Sequence, residues 1–145
     1  MYDAVTVLGP HEQRTRYPLP LLLEHAQCGF PSPAQDYVEQ AIDLNDLCIK
    51  HPSATYLVRA GGLSMTGAGI QPGDLLVVDR SLEARHGDVV IAAVNGEMVC
   101  KYLELRPIVR LVPANPTFHP INLDDGETLD VFGVVTNVIH SFRRS

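Results

Sequence analysis

The stretch DVVIAAVNGEMVCKYLEL (88–105) decides how the chain folds. Asn95-Gly96 is the strongest hairpin signal in the sequence, because a two-residue type I′ turn needs positive φ at both central positions. Apolar and β-branched residues flank it on both sides, as paired strands require. The short turn fixes the register: Val94 opposes Glu97, Ala92 opposes Val99, and Val90 opposes Lys101. Side chains alternate along a strand, so Lys101 shares its face with Val99, Leu103 and Leu105. A lysine therefore stands in the middle of an apolar face. Either that face is wet, or the ammonium snorkels to water from a sheet edge. The third option is that burial disfavours the charged form and lowers the pKa from about 10.4 toward neutrality. A neutral buried amine is a general base, and a base needs a nucleophile.

The texture around this hairpin is also that of strands. SATYLVRA (53–60), LLVVD (75–79), IVRLVP (108–113) and LDVFGVVTNVI (129–139) are short, apolar and rich in branched residues. Gln71-Pro72-Gly73-Asp74 has the proline-then-glycine order of a type II turn, and His86-Gly87 marks another. Before residue 32 the pattern changes. Pro10, Pro18, Pro20 and Pro31 interrupt an irregular mixture, which reads as an extended arm over 1–31. Ser32 looks like a helix N-cap, with Pro33 at the first helical position and Gln35 closing a capping box. Ala34, Tyr37, Val38, Ala41 and Ile42 then fall on one helical stripe, and a short turn through Leu44, Leu47 and Cys48 follows. The expected architecture is mostly β, an extended arm and one or two short helices preceding a β domain over 32–145.

Bulk properties narrow the function. With 145 residues, 46% of them hydrophobic, the chain has the size and core of one domain. A net charge of −6 with no basic cluster except Arg143-Arg144 argues against direct DNA binding. Cys28, Cys48 and Cys100 form no C-x-x-C pair, which predicts a reducing, cytoplasmic setting without disulfides. The histidines lack metal-ligand spacing and no nucleotide-binding glycine motif is present, so no metal and no cofactor are expected. The apolar run Leu21-Leu22-Leu23 is far shorter than the roughly 20 residues that span a bilayer, and no signal-peptide pattern stands at the start.

The nucleophile candidate is Ser64 in AGGLSMTGAG (60–69), flanked by Gly61, Gly62, Gly67 and Gly69. Glycines allow sharp turns that expose a serine and aim N–H groups at a carbonyl oxygen. A capping serine in a glycine-rich loop is the plainer alternative. Cys28-Gly29, in HAQCGFPSP (25–33), is by itself a buried thiol beside a turn glycine.

Taken together, these pieces resemble the UmuD family of SOS mutagenesis proteins, which share a catalytic domain with LexA-type repressors. The resemblance is carried by CGFPSPAQDYVEQAIDLNDL (28–47), HPSATYLVRAGGLSM (51–65), GDLLVVDRSLEARHGDVVIAAVNGE (73–97), KYLELRP (101–107) and LDVFGVVT (129–136). It implies that Ser64 is the nucleophile, Lys101 its general base, and Cys28-Gly29 the bond that the chain cuts in itself. It further implies a homodimer whose cleavage is stimulated by a RecA filament on single-stranded DNA. The shortened product would join a UmuC-like Y-family polymerase in translesion synthesis. UmuD-like sequences often carry Asp where this chain has Leu63, a position at which LexA-type sequences tolerate an apolar residue. The 27 residues ahead of Cys28 are too few for a helix-turn-helix domain with its own core, which sets the chain apart from the repressors. Signal peptidases use a similar dyad but depend on a membrane anchor. The remaining readings are a non-catalytic dimeric interaction module and a truncated LexA-like regulator.

Overall fold

The computed structural model describes residues 5–10, 16–22, 38–123 and 129–143. Two compact units divide the chain, one made of Met1–His11 with His51–Ser145, the other of Glu12–Lys50. The boundary expected between residues 31 and 32 falls outside the described residues.

The larger unit is built on one eight-stranded antiparallel sheet. Its strands are β1 (Val5–Pro10), β4 (Thr55–Ala60), β5 (Leu75–Asp79), β6 (Val89–Val94), β7 (Glu97–Glu104), β8 (Arg110–Val112), β9 (Ile121–Asn122) and β10 (Asp130–Ile139). Their spatial order is β1-β4-β5-β10-β6-β7-β8-β9. The β6–β7 hairpin has the register expected from its turn: Val94 pairs Glu97, Ala92 pairs Val99 and Val90 pairs Lys101. Asn95 (φ 50°) and Gly96 (φ 82°) take the left-handed conformations that a type I′ turn demands. Gly73 (φ 89°) does the same for the 71–74 turn, where the Asp74 N–H donates to Gln71 O at 3.1 Å.

Both faces of the β6–β7 hairpin are covered, which explains why neither strand shows a polar side. Ile91 and Cys100 join Val58, Leu76, Val78, Met65 and Ile70 in one cluster. Val90, Ala92, Val99 and Leu103 join Leu111 and Val134 in another. β10 lies between β5 and β6, paired to both. β10 therefore has both edges occupied.

Among the described residues before 50, Val38–Asp43 corrects the sequence reading. Val5–Pro10 is extended, as expected of the arm, but it is a strand with a bulge, paired to β4. In the smaller unit β2 (Pro18–Leu22) pairs antiparallel with β3 (Val38–Asp43), where a helical stripe through Val38, Ala41 and Ile42 was expected. Six residues are too few for periodicity to separate the two states, and pairing to β2 supplies hydrogen bonds that favour the strand. The helix begins later, as α1 (Leu44–Cys48), and its N-cap is Asp43, whose side chain accepts from the Asn45 N–H at 2.8 Å. Asp43 also accepts from the Tyr17 N–H at 2.7 Å, tying the strand pair to the helix start. The expected cap residues Ser32, Pro33 and Gln35 lie outside the described residues.

Two buried aspartates bracket β5. Asp74 lies 2.5 Å from His140 Nδ1, and Asp79 lies 2.6 Å from His51 Nδ1 while accepting from Ser81 through both N–H and Oγ. Burial alone would raise the Asp79 carboxyl; the hydrogen bonds from Ser81 and His51 outweigh it and hold it below the usual value. A carboxyl that binds its proton less tightly when folded adds stability above the unfolded pKa of about 4. That contribution disappears as pH falls through the lower folded value. Asp79→Asn should therefore show a shallower loss of urea midpoint than the wild type between about pH 5 and pH 2. Parallel profiles would show that the carboxylate does not contribute.

Candidate active site

β4 and β5 form a hairpin whose connection swells into the loop carrying Ser64. The base of that loop is closed by the Ala60 N–H on Asp74 O (2.9 Å) and the Gly73 N–H on Ala60 O (2.8 Å). Met65 and Ile70, both buried, plug the loop into the first cluster, so its apolar residues act as anchors. Between them Thr66–Ala68 make a 3₁₀ turn that ends at Gly69 with φ 85°.

Ser64 sits on this loop fully buried, and the lysine from the neighbouring hairpin reaches it. Lys101 Nζ is 2.5 Å from Ser64 Oγ across 37 residues of sequence. Lys101 is only 2% exposed, which excludes both a wet face and a snorkelling ammonium. Its strand neighbours Val90, Ala92, Val99 and Leu103 are buried as well, and the Phe118 ring centroid lies 5.9 Å from Nζ. An amine within hydrogen-bonding reach of a hydroxyl, in surroundings this apolar, can take up the hydroxyl proton. The structure thus brings Ser64 and Lys101 together. Cys28 and Gly29 lie outside the described residues. Leu63 is 53% exposed, whereas Ser64 and Lys101 are buried.

A third segment was missed from the sequence. The Ala114 N–H donates to Ser64 O and the Gly67 N–H donates to Ala114 O, each at 2.7 Å, which straps the serine loop to the chain leaving β8. Asn115 Nδ2 adds a bond to Leu63 O at 2.9 Å. Nothing in PANPTF (113–118) carries chemistry, and these contacts span about fifty positions; only the Asn-Pro dipeptide signalled a turn. Among the described residues no group of His, Cys, Asp and Glu could hold a metal ion, and no helix is long and apolar enough to cross a membrane.

Comparison with known proteins gives the family of the chain. Residues 20–136 match the family described as Peptidase S24-like. Protein ImpA of Escherichia coli is 50% identical over 129 residues, which cover 88% of this chain and 87% of ImpA. Protein MucA of Escherichia coli is 46% identical over 120 residues, 82% of each chain. Protein SamA of Salmonella typhimurium is 43% identical over 137 residues, 94% of this chain and 96% of SamA.

The strap makes a prediction of its own. A Cβ at residue 67 would stand 2.3 Å from Ala114 O, a backbone atom that cannot swing aside. Gly67→Ala should part the strap and speed amide exchange over residues 64–68, while exchange in β6 and β7 stays as in the wild type. Unchanged exchange at 64–68 would refute the close fit.

Proposed function

Because the chain belongs to the peptidase S24-like family, in its UmuD-type branch, we propose that it is a self-cleaving serine peptidase of the SOS response. The bond cut is Cys28-Gly29, and the single observation that carries the reading is the buried Lys101 amine 2.5 Å from Ser64 Oγ.

The chemistry follows from that pair. Stripping water from an ammonium disfavours the charged form, so burial favours an amine with a lone pair to offer. Lys101 Nζ takes the Ser64 proton as Oγ attacks the Cys28 carbonyl carbon. Backbone N–H groups of the serine loop hold the oxygen that becomes negative. The Lys101 ammonium then returns its proton to the Gly29 nitrogen, and the Cys28–Gly29 bond breaks. An ester between Ser64 Oγ and the Cys28 acyl group is left. Water, losing its proton to Lys101, hydrolyses the ester and restores the Ser64 hydroxyl. Gly29 adds no side chain to the leaving side and becomes the new N-terminus.

The larger role proposed is that of a cytoplasmic homodimer activated by RecA on single-stranded DNA. RecA supplies no catalytic group but stabilises the pose in which Cys28 meets Ser64. The shortened chain then serves a UmuC-like Y-family polymerase in translesion synthesis, without reading DNA sequence itself.

Intact mass before and after incubation with RecA, ATP and single-stranded DNA tests the reaction and the bond together. Wild type should lose residues 1–28, and Ser64→Ala and Lys101→Ala should remain whole. Cutting at Cys28-Gly29 in either variant would sink the assignment. Only the neutral amine acts as base, so cleavage without RecA should accelerate from pH 7 upward until Lys101 is mostly deprotonated. A rate that is flat up to pH 10 would count against a lysine base.

A further inference from the structure

We propose that Asn115 is a positioning residue for the nucleophile: its side-chain amide pins the peptide plane that enters Ser64. The inference rests on the serine-peptidase reading above and identifies a group on which that chemistry depends.

Both ends of the Asn115 amide are engaged. Nδ2 donates to Leu63 O at 2.9 Å and, more weakly, to Thr66 Oγ1 at 3.4 Å. Oδ1 accepts from the Thr117 N–H at 3.0 Å and from Thr117 Oγ1 at 2.8 Å. These partners fix which way the amide faces. Rotating it by half a turn would set an oxygen against the Leu63 carbonyl and a donor against the Thr117 N–H. The Phe118 N–H also donates to Asn115 O at 3.0 Å, so the residue both rides on and closes a tight turn.

Leu63 O belongs to the same planar trans peptide as the Ser64 N–H, and in such a unit the two point in opposite directions. Holding the carbonyl therefore aims the N–H. The peptide that leaves Ser64 is held as well, because the Ala114 N–H donates to Ser64 O at 2.7 Å. Adjacent residues of one turn thus pin the two peptide planes on either side of the serine. Ala114 does so through its backbone and Asn115 through its side chain. That turn also brings the Phe118 ring to 5.9 Å from Lys101 Nζ, so a single short segment touches both members of the pair. Small errors of placement at a reacting atom cost rate far more than they cost stability.

The test follows cleavage of the full chain without activator, from pH 7 to 10.5, by intact mass. Asn115→Asp keeps an oxygen for Thr117 and loses the donor to Leu63, Asn115→Ala loses both, and Thr117→Val removes only the hydroxyl contact. Asn115→Asp and Asn115→Ala should be slower than wild type by about 10- to 100-fold. Thr117→Val should stay near the wild-type rate. Asn115→Ala should lower the height of the alkaline rise without moving its midpoint, since Lys101 is unaltered. A residue that only stabilised the loop would slow Thr117→Val alongside the others, in step with melting temperature. That pattern, or wild-type rates in Asn115→Asp, overturns the proposal. If wild type behaves like Ser64→Ala and is never cut, the peptidase reading falls instead. Amide exchange over 63–67 then decides whether Asn115 anchors the loop: faster exchange in Asn115→Ala upholds the anchor, and unchanged exchange overturns it.

Discussion

A lysine side chain without water around it sets the conditions for the rest of this structure. Burying an ammonium costs several kcal/mol unless something compensates, so a sequence that places Lys101 at 2% exposure needs strong reasons to keep it there. Those reasons are geometric. Lys101 lies on β7, paired to β6 through six consecutive residue pairs and to β8 on its other edge. Its side chain cannot leave its face without breaking that register, because a slip by one residue would turn every side chain of the strand over. Ser64 Oγ stands within hydrogen-bonding reach of it, at 2.5 Å.

The serine is held by different means. Ser64 is on a loop, and a loop keeps an atom in place only when its backbone is bound. Here Met65 and Ile70 bury the loop's apolar residues, while the bonds at Ala60 and Gly73 close its base. The strap to Ala114 fixes its crown. Most of these restraints are main-chain bonds, which tolerate changes of side chain.

How much of this was legible depends on the range of the signal. The 88–105 hairpin could be written residue by residue because turn chemistry and period-two alternation are local and agree. LLVVD (75–79) coincides with β5 for the same reason. The face of Lys101 was legible too, and the short contact to Ser64 answers the question which that face raised. The segment 38–43 misled because its apolar spacing suits a helix or a strand, and its partner lies about twenty residues away in a proline-containing strand. β9, only two residues long, has no pattern of its own to read. The bearing of the turn at 114–118 on the serine was invisible for another reason. Its residues act on the serine loop through backbone atoms and one neutral amide, none of which stands out in a sequence.

The strand order also has a bearing on time. The hairpin with Ser64 and the hairpin with Lys101 are not neighbours in the sheet; β10, residues 130–139, is inserted between β5 and β6 and joins them. A ribosome delivers the chain from its N-terminus, so Cys28, Gly29 and Ser64 emerge well before this joining strand. Until β10 is released, the sheet that carries the two hairpins lacks the strand between β5 and β6. The sheet that carries both residues is therefore completed late, after both hairpins have been made. The strand that binds the sheet together is also the last of its eight in the chain.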